Sequence, residues 1–171
     1  MSNPSPKHGM VLPDDDDTVR LTYHRDFPTP AADLWPWISD YDRLASWIGR
    51  PEGTASPGAT VIFRSTTDRV EPGAPARAES IHIDRCEAPY RLALDWVIPG
   101  IPLARIDVHV AEAGHGSILR LTHAMVDKTR AAKIGAGWHY LLDRLDAVRE
   151  DRPVPRWPGY LDALAHVYAL A

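Results

Sequence analysis

The placement of proline constrains this chain more than any other feature. The sequence holds 16 prolines, and none of them lies between Leu103 and Arg152. Proline lacks a backbone donor and clashes with the preceding turn, so helix interiors and central strands exclude it. The longest regular elements are therefore predicted in that window, with shorter ones between the upstream clusters. Pro28 and Pro30 precede a helical stretch, Pro51 and Pro57 flank one loop, and Pro72 and Pro75 flank another. Pro89 follows a short turn, and Pro99 and Pro102 bracket a hairpin connection.

Alternation of apolar and polar residues marks the strands. Val19, Leu21 and Tyr23 share one face against Arg20, Thr22 and His24. Val61 and Phe63 alternate with Thr60 and Arg64, a pattern that Ile62 breaks. Ile81 and Ile83 alternate with His82 and Asp84, and Leu92, Leu94 and Trp96 with Arg91, Ala93 and Asp95. Ile106, Val108 and Val110 stand against Arg105, Asp107 and His109, and Leu119, Leu121 and His123 against Arg120 and Thr122. This makes six strands, or seven if residues 67–71 add a short one. One dry and one wet face is the signature of an antiparallel sheet covered on one side.

Helical spacing appears after the first strand and again late in the chain. Thr29 is predicted to cap a short helix with Pro30 at its first position, carrying Leu34, Trp35 and Ile38 and kinked or ended at Pro36. Asp40 is predicted to cap a second, with Leu44, Trp47 and Ile48 inward. Residues 129–149 place Ile134, Trp138, Leu141, Leu142, Leu145 and Val148 on one face. A Pro-rich link leads to a tail helix over 160–169 with Leu161, Leu164, Val167 and Tyr168 at amphipathic spacing. Laying the long helix across the dry face of the sheet buries both surfaces, so the fold class is α+β. The domain spans 18–150, residues 151–171 form the link and tail helix, and residues 1–17, with four consecutive aspartates, read as a disordered N-terminal tail.

At 171 residues the chain suits one domain with a sizeable core. The net charge is −4, of which residues 1–17 carry −3. The remainder lacks the basic excess that a nucleic-acid partner requires, so none is expected. The single cysteine, Cys86, can form neither an internal disulfide nor a multi-cysteine zinc site, and is expected to be a buried or idle thiol. No apolar run is long enough to span a bilayer. A reduced cytoplasmic protein without a membrane partner is the resulting expectation.

The order of elements resembles the helix-grip fold of the START-like, SRPBCC superfamily, and particular segments sharpen the likeness. Phe27-Pro28-Thr29-Pro30 with Leu34-Trp35 is similar to the opening of that fold. Leu44-Ala45-Ser46-Trp47-Ile48 resembles its second-helix segment. Gly58-Ala59-Thr60-Val61 and Glu87-Ala88-Pro89-Tyr90-Arg91-Leu92 resemble its strand starts, and Gly137-Trp138 with Leu142 and Leu145 its closing helix. Together they resemble the branch named for activators of the heat-shock protein 90 ATPase (AHSA-like), over about residues 19–149. The resemblance implies a curved antiparallel sheet of six or seven strands wrapped around a long C-terminal helix, with two short helices after the first strand and a cavity between sheet and helix. It does not imply one reaction.

No catalytic constellation stands out. His82 with Asp84 and Asp107 with His109 each share a strand face, but that face is the wet one, where a solvated cross-strand charge lattice is expected rather than a metal. His139 and Asp143 are spaced as a surface helix pair. Gly135-Ala136-Gly137 is no dinucleotide fingerprint, and reads as a place where helix and sheet approach closely. No cofactor or metal is expected. The candidate cavity lining is Tyr23, Trp47, Phe63, Ile83, Leu94, Trp96, Ile106, Val108, Leu121, His123, Ile134 and Trp138. The leading expectation is a binder of a small hydrophobic molecule. The alternatives are an aromatase/cyclase-type enzyme using His123 or Tyr23 to handle a proton, and a chaperone ATPase co-factor. A homodimer through the tail helix is the expected self-association.

Overall fold

The computed structural model describes residues 7–69 and 78–170. Its elements are β1 (Met10–Pro13), β2 (Thr18–Phe27), α1 (Ala31–Leu34), α2 (Pro36–Ser39), α3 (Tyr41–Trp47), β3 (Gly49–Glu52), β4 (Thr60–Ser65), β5 (Glu79–Glu87), β6 (Arg91–Val97), β7 (Ala104–Ala113), β8 (Gly116–Asp127), α4 (Ala131–Arg149) and α5 (Tyr160–Tyr168). The strands form one antiparallel sheet in the order β1-β2-β8-β7-β6-β5-β4-β3. After β2 the chain crosses through the short helices and returns as a meander, so that β8 closes against β2. This is the helix-grip arrangement, with the long helix α4 set inside the sheet.

Among the described residues the sheet has eight strands rather than six or seven. Four of the residues assigned to a disordered tail form β1, paired with β2 from Met10 opposite Thr22 to Pro13 opposite Val19. The aspartates form the turn of this hairpin. The Asp15 carboxylate accepts from the amides of Asp17 and Thr18 (2.9 and 2.8 Å), and the Asp14 amide donates to the Thr18 carbonyl (3.1 Å). Aspartate bonds its own backbone two residues on, which makes a run of it a turn former as readily as a solvated segment. β3, interrupted by Pro51, is the other addition. It is tolerated because it is the edge strand. The proposed strand at 67–71 does not form at 67–69, which are bend and turn; its last two residues, like residues 1–6 and the Pro72–Pro75 loop, lie outside the described residues.

Three short helices replace the expected two. Pro36 ends the first and begins the second, since its ring suits a first turn but not an interior. Asp40 caps α3 as expected, accepting from the Arg43 amide at 3.0 Å. Thr29 does not cap α1. Pro30 stands at that position, and the Thr29 hydroxyl accepts from Arg149 at 2.7 Å.

α4 packs on β2 and α3, and α5 lies along its outer side. The outer face of α4 is thus buried too, and His139 and Asp143 are not a surface pair. His139 is buried, sharing a hydrogen bond with the Tyr168 hydroxyl (2.9 Å), and Asp143 accepts from Tyr160 (3.0 Å) and from the buried Arg25 (3.2 Å). Burial pushes the Asp143 carboxyl up, but hydrogen bonds and charge from His139 and the Arg25 guanidinium hold it below the usual carboxylate range. At Gly135 the close approach is to the tail: a Cβ there would stand 2.4 Å from the Tyr168 ring. Among the described residues no helix is long and apolar enough to cross a membrane.

Candidate functional site

The dry face of the sheet is wider than α4 can cover. Near β2 the inward side chains are sealed, with Val19 1% and Leu21 0% exposed. On β6 the inward Leu92, Leu94 and Trp96 remain half-buried. The space over them is a cavity of about 310 Å³. Its floor is β4 to β8, its back wall is Trp138 and Leu142 of α4, and its side is α2, α3 and the following residue Ile48. The mouth lies at Tyr41, the exposed loop residues Ala55, Ser56 and Pro57, and Cys86.

Nine of the twelve residues named from the sequence border this cavity: Trp47, Phe63, Ile83, Leu94, Trp96, Ile106, Val108, Leu121 and Trp138. The aromatic members interlock. Phe63 and Trp96 meet edge-on with centroids 5.0 Å apart, and Trp96 and Trp138 at 6.0 Å. Such pairs hold their rings in place beyond simple area burial.

Tyr23, His123 and Ile134 do not border the cavity. Tyr23 is fully buried beneath α4 and donates to the Gly135 carbonyl at 2.8 Å. Burial raises its phenol far above the ordinary value. His123 stands behind Trp138, whose indole N–H donates to Nδ1 at 3.0 Å. Burial lowers the His123 imidazole to about 4, so it is neutral near pH 7. Ile134 is half-buried one turn before Trp138. Alternation turned Tyr23 and His123 inward, and helical spacing Ile134; only the helix position decides which inward residues meet a gap.

Several lining residues were not named. Val61, Ile81, Leu92 and Leu119 lie on the inward faces already read from alternation, so the signal was present. Tyr41 and the 55–57 loop had none, because loop conformation is not periodic. Cys86 is neither buried nor remote from the cavity: it is exposed and sits at the mouth. The register of β5 against β6 shifts between Ile83 and Arg85. Such a bulge inserts one residue and reverses the facing beyond it, which turns Cys86 inward where strict alternation turns Arg85.

The wet face carries the expected charge lattice. Arg91 donates to Asp107 (2.8 Å) and Arg105 to Asp95 (3.0 Å), and His109 lies 2.7 Å from Asp107. Among the described residues no three His, Cys, Asp or Glu side chains gather to hold a metal.

A family model described as "Activator of Hsp90 ATPase homolog 1-like protein" matches residues 28–150. No curated protein matches. Among solved structures, CalU16 from Micromonospora echinospora is 23% identical with a TM-score of 0.72, covering 94% of this chain and 92% of its own. The protein encoded by gene BPP1335 of Bordetella parapertussis is 25% identical with a TM-score of 0.73, covering 98% and 94%. DynU16, a protein in the dynemicin biosynthetic locus, is 21% identical with a TM-score of 0.66, covering 84% of this chain and 51% of its own.

Proposed function

This chain belongs to the activator of Hsp90 ATPase homolog 1-like family, and from that premise we propose that it binds a small hydrophobic molecule in the cavity between the sheet and α4. The observation that carries the reading is an apolar space of about 310 Å³ opening beside α3, at the lower end of the range of about 300–1,000 Å³ usual for small-molecule sites. A ligand burying on the order of 250 Å² of apolar surface would gain about 6 kcal/mol before association costs, enough for useful binding without a charged anchor. The protein is read as a cytoplasmic binder of that molecule.

The cyclase-type reading loses its proposed proton carriers. His123 is screened from the cavity by Trp138, and the Tyr23 hydroxyl is committed to Gly135. A general acid or base must reach the reacting proton directly or through one water.

Native mass spectrometry of freshly purified protein, followed by denaturing extraction, tests the binding reading. An adduct of small organic mass is expected. A bare protein mass, together with no binding in a calorimetric screen of hydrophobic compounds, overturns it. The same spectrum reads the oligomeric state. α5 packs on α4 of its own chain with Tyr168 buried and Leu161, Leu164 and Val167 half-buried, and a mass of two chains in that spectrum is what a homodimer through the tail helix predicts.

A further inference from the structure

Three indoles line the cavity, and each has already donated its N–H inside the protein. Trp47 donates to the Trp37 carbonyl (2.9 Å), Trp96 to a carboxylate oxygen of Glu79 (2.8 Å) and Trp138 to Nδ1 of His123 (3.0 Å). The Ser39 hydroxyl donates to the Trp35 carbonyl (2.9 Å). Strands β4 to β7 are paired on both edges, so their ladders take up the backbone groups of the floor. Among the described residues no charged side chain lines the space. The hydrogen-bonding groups left to a ligand lie toward the mouth: the Ser56 hydroxyl, the Cys86 thiol and the accepting sides of the half-buried Ser39 and Tyr41 hydroxyls, whose protons go to the Trp35 and Gly53 carbonyls.

This asymmetry selects a chemical class. A hydroxyl or carbonyl carried to the far wall gives up its water partners and finds none, and an uncompensated polar group is the costliest thing to bury short of a charge. The same group at the mouth keeps solvent and gains Ser56 or Tyr41. We propose that the cavity takes an uncharged molecule whose hydrogen-bonding groups are confined to one end, held at the mouth, with a hydrocarbon body against Trp96 and Trp138. At roughly 20 Å³ per non-hydrogen atom at interior packing density, the space holds a body of about fifteen such atoms. The inference rests on the cavity being the binding site.

Two probes of nearly equal size and shape test it: 4′-methylbiphenyl-4-ol, polar at one end, and biphenyl-4,4′-diol, polar at both. Calorimetry is run on the full chain and on Leu94→Trp, which fills the middle of the cavity. The one-ended compound is expected to bind at least about tenfold more tightly than the diol, and to lose at least about tenfold in Leu94→Trp, whose fold is checked by its thermal transition. Affinities within about threefold of each other, both lost in Leu94→Trp, would mean that the far wall does pair a polar group; this inference then falls while the cavity remains the site. Binding unchanged in a folded Leu94→Trp, or no binding of either compound up to its solubility, overturns the cavity reading itself.

Discussion

His123 accepts the indole proton of Trp138 at Nδ1, which assigns its own proton to Nε2. With the folded imidazole at about 4 because of burial, against about 6.5 in the unfolded chain, the unfolded state binds the extra proton first. Stability is therefore full above about pH 6.5 and declines by on the order of 3 kcal/mol as the pH falls to about 4. Urea unfolding across that window should show the decline in the native protein and a shallower one in His123→Gln; parallel curves would mean that another group carries it. Gly135 is a second position where one atom decides the packing. Gly135→Ala is expected to cost about 1–3 kcal/mol, net of the better helix propensity, because the new methyl meets the Tyr168 ring. A lowered thermal midpoint checks this, and a raised one would show that α5 yields at no cost.

The loop between β3 and β4 borders the mouth of the site outside any regular element. It holds two glycines in the left-handed region, Gly53 (φ 108°) and Gly58 (φ 84°), so its path is set by backbone freedom that few other residues share. Its ties to the rest of the molecule are few. The Tyr41 hydroxyl reaches the Gly53 carbonyl, and the Gly58 amide reaches the Ile83 carbonyl at 2.7 Å. Removing the first tie with Tyr41→Phe should speed amide hydrogen exchange over residues 53–58 by about tenfold or less, the worth of one hydrogen bond, and accelerate ligand entry and exit. Unchanged exchange would show that the loop is held by its glycine turns and its pairing with Ile83. The tail helix behaves in the opposite way. It is fastened by Tyr160 to Asp143 and by Tyr168 to His139 and to the Gly9 amide (3.0 Å), so that the N-terminal segment and the tail hold each other down.

For the molecule as a whole, the cavity is a place where stability has been left out. Interiors are otherwise packed to crystal density, and an unfilled volume forfeits contacts on every wall. Leu92→Phe adds a ring to a half-buried position on the cavity floor. It is expected to raise stability by about 0.5–2 kcal/mol, as cavity-filling changes commonly do, while weakening ligand binding. Thermal unfolding with and without a bound aromatic alcohol measures both effects. A loss of stability would mean that the space is already at its packing limit.

Periodicity and proline placement by themselves determined the six central strands, the long helix, the tail helix and, away from the shift in β5, which side chains turn inward. The reason is that an element buries one face only when its apolar residues recur at its own period, and that pattern is written locally. The Asp40 cap and the outer charge lattice were legible for the same reason. The aspartate turn that makes β1, the shift in β5 that turns Cys86 to the cavity, and the burial of His139 under α5 were not, because each depends on what the chain meets far along its length. The outline of the site belongs to that second kind. Inward-facing residues are identical in pattern whether a helix covers them or not: Leu21 and Leu92 read alike in the sequence. One is sealed beneath α4 and the other looks into the cavity because of where the helix lies across a sheet too wide for it to cover.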